Sequence, residues 1–141
     1  MSLALYMRSL GGNGKETHKM RKIILAAALL AAMPIAAQAG DAEAGKAVFG
    51  KCKACHQTGP GAKNAVGPHL DDVVGRKAGT AEGFKYSDAV AKSGITWDEA
   101  NLKEWLTDPK AKIPGNKMVF MGLKDPADID NVIAYLKTGG K

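Results

Sequence analysis

The sequence predicts an all-α protein in which a few helices and long loops surround a large central object. No segment shows the sustained alternation of apolar and polar residues that is typical of strands. Four segments instead combine a helix-capping residue with apolar side chains at helical spacing. Two further stretches, 57–83 and 110–124, are rich in glycine and contain prolines. Loops of this length in a compact domain indicate that the chain folds over something sizeable.

The first two helices are expected to be short. Asp41 is placed to cap a helix over roughly 42–53. Gly45 lies in its middle, which suggests that another element approaches the backbone closely. A second helix is expected from Ser87 to about Lys92.

The third helix is predicted from its capping residues. Thr96 and Glu99 have the spacing of a capping box, with Thr96 at the cap and Glu99 reaching back. The helix should end at Asp108, because the residue before a proline avoids the helical conformation. Its apolar residues recur at i, i+3 and i+4: Leu102, Trp105 and Leu106.

The last helix has the clearest signals. Asp125 precedes Pro126, and proline is favoured at the first helical position. A pair of glycines at 139–140 ends the helix. Its apolar stripe consists of Ile129, Val132, Ile133 and Leu136.

A secretory signal peptide is predicted over residues 20–39. Met20 is followed by two cations, by eleven apolar residues over 23–33 and by a small-x-small cleavage site at 37–39. Eleven apolar residues are too few for a membrane span, which needs about twenty. We therefore expect cleavage and a periplasmic protein, with an uncleaved anchor as the alternative.

The folded domain is expected to be 40–141, and residues 1–19 to be an upstream extension that is not part of the native protein. The formal net charge of the whole chain is +6. Residues 1–39 hold five of the cations and one acid, which leaves fifteen cations and thirteen acids in the domain. A balance so close to neutral argues against phosphate-driven nucleic-acid binding, which usually requires a much stronger basic bias.

The segment Cys52-Lys53-Ala54-Cys55-His56 carries the chemistry. The pattern C-x-x-C-H is typical of covalent attachment of c-type haem. Two cysteines three positions apart on a helical turn can reach the two vinyl groups on one edge of the porphyrin. The histidine that follows can then point its imidazole at the iron. The predicted cofactor is one haem c held by two thioethers, with His56 as an iron ligand.

Three other chemistries could use two cysteines at this spacing. A thioredoxin-like dithiol would be expected in a βαβ context, which the sequence lacks. A zinc site would have to combine both cysteines with His56 and His69, at poor spacing. A structural disulfide fits an oxidising compartment. The adjoining histidine and the export signal together favour haem.

A methionine is the candidate for the second iron ligand. The domain has two, Met118 and Met121, in the same loop. A thioether suits haem iron and raises its reduction potential, although methionine is also a common core filler. Residue chemistry alone leaves the choice between the two methionines open.

Several segments in a fixed order resemble those of class I cytochromes c, the mitochondrial type and its bacterial periplasmic relatives. The resemblance covers essentially all of residues 40–141, and it implies the cytochrome c fold with the first and last helices crossing at Gly45 and Tyr135. It also implies that Met118 is the second axial ligand. The matching segments are the start 40–49, the C-x-x-C-H motif, Gly67-Pro68, Gly75-Arg76-Lys77, Gly83-Phe84-Lys85-Tyr86, Gly94-Ile95-Thr96-Trp97, the methionine loop 113–120 and Ile133-Ala134-Tyr135-Leu136-Lys137.

The resemblance assigns further cofactor-binding roles. Pro68 would offer its carbonyl to the second imidazole nitrogen of His56. Tyr86 and Trp97 would donate hydrogen bonds to a haem propionate, and Arg76 would help to balance its charge.

Other positions depart from the family pattern or lie near the iron. Phe120 would cover the haem edge, and Trp105 stands where a tyrosine usually lies beside the methionine sulfur. Asn116 replaces a common threonine, and Val90 a common asparagine. His69 replaces a frequent asparagine and is expected at the surface.

The predicted function is transfer of single electrons by a soluble, monomeric monohaem protein, because two axial ligands leave the iron no open position for a substrate. The protein is not expected to be an enzyme, since no distal acid–base pair of a peroxidase is evident. A gas-binding haem sensor with a labile methionine and a disulfide-redox protein are the competing functions.

The resemblance implies respiratory or photosynthetic membrane complexes as partners: quinol:cytochrome c oxidoreductase, terminal oxidases or photosynthetic reaction centres. The protein would not itself be embedded in the membrane. Docking would be transient and electrostatic, through a basic rim that consists of Lys51, Lys53, Lys63, Lys110, Lys112, Lys117 and Lys124.

Overall fold

Helices and loops make up the described part of the chain. The computed structural model describes residues 39–141. The predicted extension 1–19 and, apart from Ala39, the predicted signal peptide 20–39 lie outside the described residues. Extended pairing within 39–141 is limited to one isolated antiparallel bridge between Lys77 and Thr96. The helices are α1 (Ala42–Phe49), α2 (Asp88–Ala91), α3 (Glu99–Thr107), α4 (Pro109–Lys112) and α5 (Pro126–Lys137).

Helices α1 and α5 cross at a point where no side chain fits. A β-carbon on Gly45 would overlap the carbonyl group of Asn131 and lie 2.9 Å from the β-carbon of Tyr135. The ring of Phe49 packs on that of Tyr135, with 5.4 Å between the ring centroids. At the edge of the crossing, the Asp41 N–H donates to Asn131 Oδ1 at 2.8 Å. The predicted crossing at Gly45 and Tyr135 is confirmed.

Helix α1 is shorter than the 42–53 predicted. Asp41 caps it as expected, but the helix ends at Phe49. The N–H groups of Gly50, Lys51 and Cys52 each donate to the carbonyl three residues earlier, at 3.1, 3.0 and 2.8 Å. Such i→i+3 bonds tighten the chain. This tightened turn leads directly into the cysteines.

The start of α3 corrects the predicted capping box. Asp98 is the N-cap, and its Oδ1 accepts the N–H of Asn101 at 2.8 Å. Thr96 lies outside the helix, opposite Lys77 in the isolated bridge. The Trp97 N–H, which donates to the Arg76 carbonyl at 2.8 Å, is one of the bonds that hold it there. The prediction of Thr96 as the cap was wrong, and Glu99 is the first helical residue.

Helix α4 was not predicted. Asp108 ends α3 as expected, but its side chain also accepts the N–H groups of Lys110 and Ala111 at 3.1 and 3.0 Å. Pro109 then occupies the first helical position. The Asp-Pro pair that stops one helix therefore starts the next one, and this places the methionine loop.

Helix α5 matches its prediction, with Asp125 as the cap and Lys137 as the last residue. Helix α2 lies within its predicted range, and Ser87 caps it. No helix among residues 39–141 combines the length and the apolar character that crossing a bilayer requires. The predicted stripe of α5 is buried in the core: Ile129, Val132, Ile133 and Leu136.

Candidate haem site

The C-x-x-C-H segment continues α1 as a compact turn. The N–H groups of Cys55 and His56 both donate to the carbonyl of Cys52, at 3.1 and 2.9 Å. Both cysteines are partly buried, and they do not form a disulfide with each other. Burial raises the pKa of the Cys52 thiol, and the charge of Lys51 partly offsets this effect. The turn brings the two thiols and the imidazole to one cavity.

This cavity has a volume of about 400 Å³ and is lined mainly by apolar side chains. Its walls come from the end of α1, from the loops around 66–73, 84–90 and 116–120, and from α3 and α5. The large lining side chains outside the C-x-x-C-H segment include Phe49, Leu70, Phe84, Tyr86, Leu102, Trp105, Leu106, Met118, Phe120 and Leu136.

The imidazole of His56 is fixed by backbone on two sides. Its Nδ1 lies 2.7 Å from the carbonyl oxygen of Pro68. A carbonyl can only accept, so Nδ1 carries the proton and Nε2 keeps a lone pair for a metal. Gly67 lies against the same ring, so closely that a β-carbon there would overlap it. Burial lowers the pKa of His56, whereas the bond to Pro68 acts in the opposite direction. The neutral, ligating form is favoured at neutral pH.

Asn116 shapes the loop that carries Met118. Its amide Nδ2 donates to the carbonyls of Pro109 and Ile113, both at 2.8 Å. Its Oδ1 accepts the N–H of Met118 at 3.0 Å. From the sequence, Asn116 stood out only as a departure from the family pattern. The signal that could have identified its role is an amide directly after the Pro114-Gly115 turn.

The structure separates the two candidate methionines. Met118 is partly buried and lines the cavity. Met121 is 78% exposed and is not among the cavity-lining residues of the described chain. Only Met118 therefore shares a cavity with His56.

Three of the predicted aromatic residues line the cavity: Tyr86, Trp105 and Phe120. The hydroxyl of Tyr86 accepts the N–H of Ala81 at 3.2 Å, and its ring meets that of Phe84 edge-on, with 4.9 Å between centroids. The hydroxyl proton of Tyr86 is directed elsewhere and can serve a second acceptor.

Arg76 and Trp97 are not among the cavity-lining residues within 39–141. Trp97 is buried behind Trp105, with 5.2 Å between the ring centroids. The guanidinium of Arg76 donates to the carbonyls of Asp71 and His69, at 2.8 and 2.9 Å. Arg76 therefore braces the loop that follows Pro68. The contacts of Arg76 and Trp97 with a propionate remain predictions.

His69 is not the surface residue that was expected. Its side chain is 24% exposed and its Nδ1 lies 3.9 Å from Asp71 Oδ2. That nitrogen is buried and has no hydrogen-bond partner among the described residues. Its neighbour Pro68 faces inward, with its carbonyl oxygen 2.7 Å from His56 Nδ1.

These residues fit haem c. Two thiols, an imidazole with a free Nε2 and a thioether line one apolar cavity, and this donor set suits haem iron. The zinc interpretation finds no support, since residues 39–141 contain no group of three or more histidine, cysteine or acidic side chains placed to hold a metal ion. When bound by this set, haem supplies a one-electron iron couple.

Comparison with known proteins agrees with this chemistry. The cytochrome c family profile matches residues 42–140. Cytochrome c2 from Rhodomicrobium vannielii is 53% identical over 120 residues, covering 85% of this chain and 96% of the relative. Cytochrome c2 from Blastochloris viridis is 52% identical over 118 residues, covering 84% of this chain and 93% of the relative.

A solved structure is similar as well. Cytochrome cH from Methylobacterium extorquens has a TM-score of 0.67 and 59% sequence identity, covering 70% of this chain and 99% of the other. The predicted fold and the predicted covalently attached haem c are confirmed. On the family match, the relatives and the fold together, the chain belongs to the cytochrome c family.

Proposed function

We propose that this protein carries single electrons through a haem c whose iron is ligated by His56 and Met118. The observation that carries the proposal is the shared cavity, which both side chains line together with the two cysteines. Pro68 and Gly67 hold the His56 imidazole, and Asn116 holds the Met118 loop. Two ligands positioned by rigid contacts leave the iron without an open site, so catalysis on a substrate is not part of the proposed function.

The ligands can be tested by comparing Met118→Leu with Met121→Leu. Met121 is the matched control, since it is a methionine of the same loop that is exposed. The wild type and Met121→Leu should stain for covalent haem on a denaturing gel. Both should also give a low-spin reduced spectrum with the weak red band of an iron–sulfur bond in the oxidised form.

Met118→Leu should keep the covalent haem, lose the red band and bind carbon monoxide when reduced. Carbon monoxide binding by the reduced wild type at neutral pH would instead favour a gas sensor. Absence of covalent haem in the wild type would contradict the proposal. It would instead favour a disulfide-redox function of Cys52 and Cys55.

Docking to acidic membrane complexes is proposed to occur at the cavity mouth. Lys85 and Lys117 line this region, as does Lys51, which pairs with Asp128 at 3.2 Å. The exposed Val66 and Val119 lie there as well, with exposed fractions of 76% and 100%. Basic groups around a small apolar patch favour brief, salt-sensitive encounters.

Lys117→Gln should slow electron transfer to an acidic redox partner at low salt and make the rate less salt-dependent. Lys92→Gln is the control, because Lys92 pairs with Asp88 and is not among the residues that line the cavity in the described chain. Equal effects of the two substitutions would contradict docking at the mouth. The rate of electron transfer to each purified complex would identify the partner. The complexes to compare are a quinol:cytochrome c oxidoreductase, a terminal oxidase and a photosynthetic reaction centre.

Export to the periplasm is proposed from the signal-peptide pattern at 20–39. The match with the Rhodomicrobium protein covers 120 residues of this chain. This is more than the 40–141 domain contains, so the similarity extends upstream of Gly40. N-terminal sequencing of the periplasmic protein should begin at Gly40, and a retained segment 20–39 would indicate an anchor.

A further inference from the structure

Both ends of one peptide group are hydrogen-bonded in the described chain. The peptide joins Pro68 to His69. Its carbonyl oxygen lies 2.7 Å from His56 Nδ1. Its N–H donates to Asn64 Oδ1 at 2.9 Å. One planar unit therefore connects the ring of the proposed iron ligand to an asparagine side chain.

The amide nitrogen of the Asn64 side chain is hydrogen-bonded as well. Its Nδ2 donates to the carbonyl of Glu82 at 2.8 Å. The partners are a backbone carbonyl and a backbone N–H, so the orientation of the amide is fixed by their chemistry. Asn64 thereby joins the loop that carries Pro68 to the loop that precedes the cavity residues Phe84 and Tyr86.

We propose that Asn64 is a positioning residue that tunes the electron density of the His56 imidazole through the Pro68–His69 peptide. This inference rests on the proposed function, because it takes His56 to be the iron ligand. The proposed tuning depends on the side chain of Asn64. Pro68, by contrast, acts on His56 through its backbone carbonyl.

The physical basis is the polarisation of a resonant amide. An acceptor on the N–H of a peptide draws its proton and shifts charge toward the carbonyl oxygen, which becomes a stronger acceptor. Bonds arranged in such a chain strengthen one another by roughly 10–30% each. A stronger acceptor on Nδ1 makes the imidazole more basic and a better electron donor.

The direction of the effect follows. A more electron-rich imidazole favours the oxidised iron, so the acceptor on Asn64 lowers the reduction potential. Arg76 holds the next carbonyl, that of His69, at 2.9 Å. This second contact restrains the chain on the far side of the His69 α-carbon and is independent of Asn64.

The test compares Asn64→Leu with Asn64→Asp in the haem-loaded protein. Both variants lose the Nδ2 donor and hence the bond to the Glu82 carbonyl, which a carboxylate oxygen of Asn64→Asp would in addition repel. They differ in the acceptor, which Leu removes and Asp strengthens. The midpoint potential should rise in Asn64→Leu and fall in Asn64→Asp. Each shift should correspond to a roughly two- to fourfold change in the equilibrium constant for electron exchange with a reference couple, as expected from cooperativity in one bond.

A charge control separates polarisation of the peptide from the field of a new carboxylate. Lys63→Gln, at the neighbouring exposed position, lowers the net charge by the same one unit and leaves the peptide untouched. The NMR signal of the His56 Nδ1 proton, together with the scalar coupling across its bond to Pro68, should move in opposite directions in the two Asn64 variants. Both should be unchanged in Lys63→Gln.

Each outcome decides between a tuning role and a purely structural one. Shifts of potential in the same direction in both Asn64 variants, or a constant Nδ1 signal with lowered thermal stability, would mean that Asn64 only holds two loops together. A wild-type spectrum without histidine–methionine ligation would instead overturn the proposed function. The two failures are therefore distinguishable.

Discussion

Gly67 lies against the imidazole ring of His56. A β-carbon at position 67 would lie 2.7 Å from Nδ1 and 2.8 Å from Nε2, distances at which either the ring or the backbone must shift. The glycine thus defines one boundary of the space in which the proposed ligand can turn. Its neighbour Pro68 supplies the carbonyl that fixes the orientation of the ring.

Gly67→Ala should therefore tilt the His56 ring and weaken its bond to Pro68. Overpacking of a filled site costs about 1–3 kcal/mol, so the variant should mature with less attached haem and unfold at a lower temperature. Gly61→Ala is the control, because it adds a methyl group in the same loop with nothing within 4 Å. The only cost expected for Gly61→Ala is the backbone strain of placing a side chain at a positive φ. A Gly67→Ala protein with normal haem content and an unshifted Nδ1 proton signal would contradict this account.

Gly45→Ala should separate α1 from α5. The added carbon would overlap backbone atoms of Asn131, which cannot rotate away as a side chain can. We expect a loss of at least about 2 kcal/mol of unfolding free energy, measured by denaturant titration of the haem-loaded protein. Ala47→Ser, on the exposed side of the same helix, should cost about 0.5 kcal/mol. Similar losses in both variants would mean that the crossing is looser than the structure indicates.

The corrected start of α3 leads to a paired prediction. Asp98→Ala removes the carboxylate that accepts the Asn101 N–H, and loss of an N-cap costs about 1 kcal/mol. Thr96→Ala should change the unfolding free energy by less than about 0.5 kcal/mol, because Thr96 is exposed and the hydrogen bonds of the bridge are made by its neighbours. The reverse order of the two losses would restore the capping box that the sequence suggested.

The ion pair between Glu99 and Lys137 predicts a pH dependence at the α3–α5 surface. Their atoms Oε2 and Nζ lie 2.6 Å apart, and Lys137 holds the pKa of the Glu99 carboxyl below its ordinary value. A carboxyl whose pKa is lower in the folded state contributes stability that is fully present above about pH 4.5 and is lost as the pH falls through the folded value.

Lys137→Met should raise the pKa of Glu99, as followed by NMR titration of its carboxyl carbon. High salt should reduce the difference between variant and wild type, since both side chains are exposed to solvent. Lys92→Met is the control, because Lys92 pairs with Asp88 on α2. An unchanged Glu99 titration in Lys137→Met would show that the pair is not formed in solution.

Local signals predicted most of the helices. Asp125 and Pro126 indicated the start of α5 because a cap and a proline at the first position act within one turn. The Thr96 cap was predicted wrongly because a non-local bridge to Lys77 holds this segment in an extended conformation, through hydrogen bonds made by the neighbouring residues. Pairings of this kind depend on residues about twenty positions away, which a local pattern does not contain.

In the candidate site, too, residues with a local sequence signal could be predicted, and residues that act through distant contacts could not. The C-x-x-C-H pattern is short and its chemistry is specific, so Cys52, Cys55 and His56 could be selected from sequence alone. The role of Asn64 depends on the Glu82 carbonyl in another loop. The role of Asn116 depends on the carbonyls of Pro109 and Ile113, in and directly after α4. For Asn116 the preceding Pro114-Gly115 turn was a usable signal, whereas Asn64 has no pattern that distinguishes its role from that of an ordinary turn residue.

The packing of α1 on α5 ties the beginning of the domain to its end, since the Asp41–Asn131 hydrogen bond joins residues 90 positions apart. A chain made from the amino terminus produces α5 last, and closing so long a loop costs entropy before native contacts can repay it. Until α5 is present, α1 lacks the helix on which it packs. The segment that leads into the two cysteines therefore depends for its packing on the whole length of the domain.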